Sequence, residues 1–180
     1  MEGMFPLGTV LLAAASIFID PGLCRQSTAG NTGPSAWATD GRNHLSVSMD
    51  ARSTGEVSLR CRVESPADAN AVTIEFDRAL ISFQPAGSKA TGSGLTLSAN
   101  SCHESLVRVA GEDWIEAPHR SWTVKLDPHR REFELRLAVT DNSDRDPVRV
   151  DLWGLRVTPG NREDADFCTS VGQLPAADLR

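Results

Sequence analysis

Residues 122–139 read WTVKLDPHRREFELRLAV, and this stretch decides the fold class. Apolar residues alternate with polar ones from Trp122 to Leu126, and the alternation resumes from Phe133 to Val139. Because successive side chains of a β-strand point to opposite faces, each run predicts a strand with one buried face. The residues between the runs, 127–131, include Asp and Pro, and their number suits the loop of a β-hairpin.

The same alternation recurs through most of the chain. Roughly eight or nine strands, with turn residues about every 8–12 positions, predict an all-β fold. We expect a single antiparallel β-sandwich domain over residues 44–158, immunoglobulin-like in pattern, although no Trp lies between Cys61 and Cys102 as in antibody domains. The apolar residues of the last strand occupy even-numbered positions before Gly154 and odd-numbered positions after it, which predicts a β-bulge at Gly154. The residues expected to share one core are Leu59, Val63, Ile74, Val124, Leu135, Leu137 and Val150.

The N-terminal segment has a different character, because residues 4–19 carry no charge. This run is shorter than the roughly 20 apolar residues of a membrane-spanning helix, and it resembles the apolar core of a signal peptide, about 7–15 residues long. We therefore predict that residues 1–29 are a signal peptide cleaved before Gly30, or a membrane anchor formed by residues 4–24.

Two other interpretations of this segment remain open. Cleavage after the alanines at 13–15 ranks lower because it would leave Ile17 to Ile19 exposed, and lipidation of Cys24 lacks the usual preceding residues. Beyond the leader, residues 30–43 are rich in Ser, Thr, Gly, Asn and Pro and predict a flexible linker. Residues 159–180 predict a polar C-terminal tail.

The chain has a net charge of −6. Nucleic-acid binding relies on neutralising phosphates with Lys and Arg, so an acidic chain is a poor candidate for it. The same charge argues against a basic membrane-binding patch. We predict no nucleic-acid partner.

The four cysteines show no spacing typical of a zinc site, and they favour disulfides in an oxidising compartment. Cys102 and Cys168 both lie in polar, loop-like sequence, so we predict a disulfide between them. The alternative is a bond between Cys61 and Cys102, which would join the two sheets.

An acidic segment, residues 141–146, supplies the metal candidates Asp141, Asp144 and Asp146. Calcium prefers several oxygen ligands, and such loops can provide them. The same residue types are typical of a solvated turn, and Arg145 within the segment favours the turn. We predict no cofactor, with calcium as the alternative.

Two tryptophans are candidate interaction residues. Trp114 is surrounded by Glu112, Asp113 and Glu116, a combination of aromatic ring and carboxylates that suits a sugar, or simply an exposed loop whose Trp packs on the sandwich edge. Trp153 is at an odd-numbered position, whereas its apolar neighbours Val150 and Leu152 are at even-numbered ones. Its side chain is therefore expected to face outward, as an anchor for a protein partner.

No motif for a catalytic nucleophile is present in the sequence, and we predict no catalytic residue. We expect a non-enzymatic, extracytoplasmic β-sandwich, periplasmic or secreted, that acts by protein–protein contact as an accessory or assembly subunit of an envelope or membrane complex. The alternative is a glycan- or calcium-binding module.

Overall fold

The computed structural model describes residues 9–11, 16–50, 52–83, 91–100, 102–108, 113–127, 129, 132–142, 147–161 and 168–171. Its strands in chain order are β1 (Thr9–Leu11), β2 (Ile17–Phe18), β3 (Arg25–Asn31), β4 (Ala38–Thr39), β5 (His44–Met49), β6 (Thr54–Glu64), β7 (Ala71–Phe83), β8 (Gly94–Ala99), β9 (Cys102–Val107), β10 (Trp114–Lys125), β11 (Glu132–Asp141), β12 (Val148–Trp153), β13 (Arg156–Gly160) and β14 (Cys168–Val171). A 3-10 turn at Pro21–Leu23 is the helical element of the described chain.

The strands form two sheets that pack as a sandwich. Sheet A has the order β1-β6-β11-β8-β9, with β3 also paired to β6, and sheet B has the order β14-β10-β7-β12-β5-β4. In sheet B, β13 lies beside β7, and β2 lies beside β13. Every described pairing is antiparallel except that of β1 with β6. The predicted all-β sandwich is confirmed.

The predicted hairpin around residues 127–131 is wrong. β10 pairs with β7 in sheet B, whereas β11 pairs with β6 and β8 in sheet A. A connection of this length can also span the roughly 10 Å between two packed sheets, so loop length alone does not choose between a hairpin and a crossing. Alternation identifies the buried face of each strand but leaves its hydrogen-bonding partner open.

The predicted core is confirmed. All seven residues expected to share it lie in one buried cluster, and each is at most 1% exposed. Leu135 illustrates the arrangement: it lies on the central strand of sheet A, between Cys61 of β6 and Ala99 of β8. Strands with one face buried therefore supply the core, as their period of two predicts.

Gly154 marks a change of face without the predicted bulge. Trp153 lies opposite Arg78 and Arg156 lies opposite Glu75, so the pairing with β7 runs through Gly154 without an inserted residue. Instead, β7 and β10 change face at the same level, where two consecutive residues of each strand are exposed: Asp77 and Arg78, and Pro118 and His119. The expected bulge is replaced by a kink shared by three neighbouring strands.

The N-terminal region contributes to the sandwich well before residue 44. β3 pairs along β6, and Cys24 forms a disulfide with Cys61. Ile19 is 5% exposed, and Trp37, within the expected linker, is 3% exposed. These residues form strands and core where a leader and a flexible linker were expected, because a short apolar run can complete a sandwich as readily as it can form a leader.

The cysteine pairing differs in part from expectation. Because Cys61 is bonded to Cys24, the alternative bond between Cys61 and Cys102 is excluded. Cys102 is itself disulfide-bonded, but the side chain of Cys168 lies outside the described residues, so the Cys102–Cys168 bond stays a prediction. The backbone of β14 does pair with β10, which gives the C-terminal tail a strand that its polar sequence did not predict.

None of the described residues forms a helix that is long and apolar enough to span a membrane.

Candidate functional site

The outer face of sheet A is a ladder of opposite charges. Arg60 lies 3.9 Å from Glu134, and Arg62 lies 3.5 Å from Glu132, across the β6–β11 pair. Most of these side chains are about half exposed, so each ion pair contributes little free energy. This face is a solvated surface with matched charges and no described tryptophan.

The outer face of sheet B combines aromatic and charged side chains. These side chains alternate with core residues on β7, β10 and β12. Strand pairing aligns them in three adjacent rows. Ser82 lies between Trp114 and Arg149, Leu80 between Glu116 and Asp151, and Arg78 between Pro118 and Trp153. We call this surface the Trp114 face and define it by Trp114, Glu116, Arg78, Arg149, Asp151 and Trp153.

The side chains of this face differ in length. In the row formed by Trp114, Ser82 and Arg149, the middle strand β7 carries the short side chain. Trp114 and Arg149 are both opposite Ser82 and are therefore two strand spacings apart, about 10 Å at the backbone. In that row, the short Ser82 side chain thus lies between two longer ones.

Trp114 is the open aromatic group of the face. Its 58% exposure is the largest among the exposed large hydrophobic residues of the described chain. Glu116 follows two residues later on the same side of β10, as expected from strand periodicity. Leaving an indole in water carries a free-energy cost that burial against a ligand would recover.

Trp153 is held between its neighbours rather than left open. The His44 ring stacks on the indole with centroids 4.8 Å apart and planes 7° apart. The Arg78 guanidinium carbon lies 5.2 Å from the indole centroid, and it approaches from the strand on the other side of β12. Trp153 does face outward, as predicted, but its ring is packed and only partly exposed.

Asp151 joins two of these groups in one network. Its carboxylate accepts hydrogen bonds from Arg149 Nε at 2.8 Å and Arg149 Nη2 at 3.0 Å, and it lies 3.0 Å from His44 Nε2. Burial alone would raise the pKa of Asp151, but the hydrogen bonds and charges of Arg149 and His44 outweigh it and hold the pKa below its usual value. Asp151 is therefore a carboxylate at neutral pH, although its side chain is only 8% exposed.

A second ion pair crosses the face from β7 to β10. Arg78 Nε lies 2.7 Å from Glu116 Oε1, and both side chains are partly exposed. The same guanidinium covers Trp153, so the pair links the two tryptophan-bearing strands. This exposed pair contributes little free energy, but it places a guanidinium and a carboxylate side by side on the face.

The kink at Gly154 borders this network. Gly154 has a φ of 69°, in the region that favours glycine, and a Cβ there would collide with the Asp77 carboxylate. Arg156 Nη1 donates to Asp77 at 2.8 Å and to the Gly154 carbonyl at 3.1 Å. Glycine at this position lets the chain turn beneath Asp77 directly after Trp153.

The predicted calcium site is largely outside the described residues. Asp144 and Asp146 are not described, while Asp141 is 1% exposed and accepts a hydrogen bond from Ser93 Oγ at 3.1 Å. No group of three potential metal ligands occurs among the residues that the structure describes. Of the carboxylates expected around Trp114, Glu116 shares its face, Asp113 precedes β10, and Glu112 is outside the described residues.

A small open groove lies elsewhere on the surface. It has a volume of about 170 Å³ and is bordered by Pro66, Asp68, Ala69, Pro159, Gly160 and Asn161. It contains no aromatic side chain, and Asp68 is its one charged lining residue. The Trp114 face is chemically better equipped to hold an organic ligand.

Sequence reasoning missed the residues that β7, β12 and β5 bring to this face: Arg78, Arg149, Asp151 and His44. One signal was available for Asp151, an acidic residue between the apolar residues Val150 and Leu152. Its parity predicts an outward position on a strand. The other three become site residues only through strand pairing.

Comparison with known proteins gives matches among solved structures alone; no protein-family model and no curated protein matches the chain. A carbohydrate-binding module, CBM4, is 11% identical with a TM-score of 0.43, over 76% of this chain and 78% of that one. The module TmCBM61, solved in complex with β-1,4-galactotriose, is 11% identical with a TM-score of 0.39, over 73% and 92%. The enzymatically active domain of tailspike protein 4 from bacteriophage CBA120 is 10% identical with a TM-score of 0.49, over 78% and 20%.

These matches correct the predicted function. A module acting by protein–protein contact was expected, whereas the matches include several carbohydrate-binding modules, so that prediction is wrong. With identities below 25% and TM-scores below 0.5, the likeness concerns the fold. The case for a ligand has to come from the residues of this chain.

Proposed function

We propose that this protein is a non-catalytic glycan-binding module and that its ligand lies on the Trp114 face. The observation that carries the proposal is the 58% exposed indole of Trp114, which shares one sheet face with two guanidinium–carboxylate pairs. Sheet A lacks such a ring among its described residues, and its charge ladder consists of matched, exposed ion pairs.

The chemistry of this face matches that of a sugar. A pyranose has an apolar C–H surface, which packs on an aromatic ring, and a rim of hydroxyl groups that both donate and accept hydrogen bonds. Trp114 offers the ring, while Arg149 with Asp151 and Arg78 with Glu116 offer donors and acceptors. An extended chain lying along β7 would contact both sets of groups.

The state of Asp151 supports binding rather than catalysis. A glycosidase needs a carboxylic acid whose pKa is raised, so that it holds a proton near neutral pH. The pKa of Asp151 is instead lowered, and two guanidinium nitrogens occupy its oxygens. Such a carboxylate accepts hydrogen bonds from hydroxyl groups but has no proton to give.

Trp114→Ala is expected to weaken glycan binding at least about tenfold, roughly 1.4 kcal/mol, because it removes the exposed ring. The free energy of unfolding should change by less than the roughly 3–5 kcal/mol of a buried Trp, since Trp114 is 58% exposed in the free protein. Affinity gel electrophoresis in soluble β-glucan, galactan, mannan and xylan measures the binding. Phe18→Ala is the matched control, because Phe18 is 42% exposed on the same sheet but outside the Trp114 face.

Two outcomes would reject this proposal. One is that none of the four polysaccharides retards the unmodified protein. The other is that Phe18→Ala weakens retardation as much as Trp114→Ala does.

We also infer that the protein works outside the cytoplasm. The Cys24–Cys61 disulfide supports this location, because structural disulfides persist in oxidising compartments and are rare in the cytosol. Whether the protein is periplasmic or secreted has no bearing on the chemistry of the Trp114 face.

The N-terminus of the exported protein is expected at or before Ser16 rather than at Gly30. Ser16 Oγ lies 2.7 Å from Thr158 Oγ1, the Ile19 amide donates to the Leu155 carbonyl at 3.1 Å, and Cys24 is bonded to β6. Cleavage before Gly30 would remove all three contacts. Intact mass and N-terminal sequencing of protein recovered from the native host measure the boundary, and a chain beginning at Gly30 would contradict the expectation.

A further inference from the structure

We infer that the ligand of the Trp114 face is a neutral glycan, not a uronate or a sulfated one. The inference rests on the proposed glycan-binding function and narrows its ligand class. It is drawn from how the charges of the face are paired.

The first guanidinium of the face is already neutralised. Arg149 donates from Nε and Nη2 to the two oxygens of Asp151, at 2.8 and 3.0 Å, which is the two-point geometry of a strong ion pair. The Arg149 side chain is 60% exposed, whereas Asp151 is 8% exposed, so the carboxylate is fixed and the guanidinium lies above it. An acidic sugar would have to compete with a carboxylate that the fold holds in place.

The second guanidinium is also paired with a carboxylate, here through one contact between two exposed side chains. Arg78 pairs with Glu116 at 2.7 Å and also lies over the indole of Trp153, so both its charge and its planar surface are in use. The charges of Arg78 and Arg149 therefore cancel those of Glu116 and Asp151. At the margin, Asp40 lies 3.3 Å from His44 and adds a negative charge.

The long-range field also opposes an anion. The chain carries a net charge of −6, so an acidic polysaccharide would approach a like-charged protein. A neutral glycan is not repelled by this charge. Each ion pair uses only part of the N–H donors of its guanidinium and part of the lone pairs of its carboxylate, and the remainder can bind hydroxyl groups.

The experiment compares polysaccharides that differ mainly in charge. The pairs are hydroxyethyl cellulose with carboxymethyl cellulose, and methyl-esterified polygalacturonate with its de-esterified form, each measured by affinity electrophoresis and calorimetry at about 50 and 500 mM salt. We expect at least one neutral member to bind at least about tenfold more tightly than its acidic partner, with little dependence on salt. Glu116→Gln releases Arg78 from its ion pair and should raise the affinity for the acidic partner about threefold or more.

The outcomes separate this inference from the proposed function. An acidic member that binds the unmodified protein as tightly as its neutral partner, and loses affinity at high salt, overturns the neutral-ligand inference but leaves glycan binding intact. If Glu116→Gln binds the acidic members no more tightly than the unmodified protein does, the ion pair of Arg78 is not what disfavours anions. That result also counts against the inference. Failure of every polysaccharide to bind overturns both.

Discussion

Removing the Cys24–Cys61 disulfide is expected to lower the free energy of unfolding by about 4 kcal/mol. The two residues are 37 positions apart in the sequence, and closing a loop of that size restricts the unfolded chain by about this amount in the chain-entropy model. The bond also fastens the segment before β3 to the buried side of β6, where Cys61 is fully buried. Urea denaturation of the double variant Cys24→Ala/Cys61→Ala measures the loss.

Leu23→Ala is the control for this variant, because Leu23 is next to Cys24 and is 47% exposed. It should change the free energy of unfolding by less than about 0.5 kcal/mol. A loss below about 1 kcal/mol in the double variant would show that the N-terminal segment contributes little to the stability of the sandwich.

Leu135→Ala is expected to cost about 2–5 kcal/mol, because it leaves a cavity in the centre of sheet A. Leu135 is fully buried and is flanked on both sides by paired strands, so the surrounding side chains have little freedom to fill the space. Thermal and urea denaturation both report the loss.

The neighbouring residue provides a matched control. Glu134 lies on the same strand but points outward, with 56% of its side chain exposed. Glu134→Ala should cost less than about 0.5–1 kcal/mol, the value of an exposed ion pair. If the two variants were equally stable, the assignment of the buried face of β11 would be wrong.

The sequence predicts the buried faces of this fold well, because a period of two is a direct consequence of strand geometry. It predicts poorly which strands pair with each other. The loop after Leu126 has the length of a hairpin loop, yet it connects β10 in one sheet to β11 in the other. Such choices depend on packing between distant residues, which no local pattern records.

The N-terminal segment shows a different limit. The residues from Ile17 to Ile19 are as apolar as a leader core, and only their contacts with β13 and Leu155 identify them as part of the sandwich. Gly154 shows a third limit. The change of parity there was visible in the sequence, but the same change in β7 and β10 makes it a shared kink rather than an inserted residue.

The candidate site was predictable only where its residues are close in sequence. Trp114 and Glu116 are two residues apart on one strand, so their common face follows from local geometry. Arg78, Arg149 and Asp151 come from other strands, and the register of β7 with β10 and β12 brings them together. A site built across three strands is visible once the pairing is known.

The location of the ligand can be measured most directly through the indole N–H groups. The protein has four tryptophans, and they differ in environment: Trp37 and Trp122 are buried, Trp153 is packed, and Trp114 is open. In a ¹H–¹⁵N titration with the polysaccharide fragment that binds best, we predict that the Trp114 indole signal shifts most and that Trp37 and Trp122 stay in place. Binding that leaves the Trp114 signal unmoved would contradict the assignment of the glycan site to the Trp114 face.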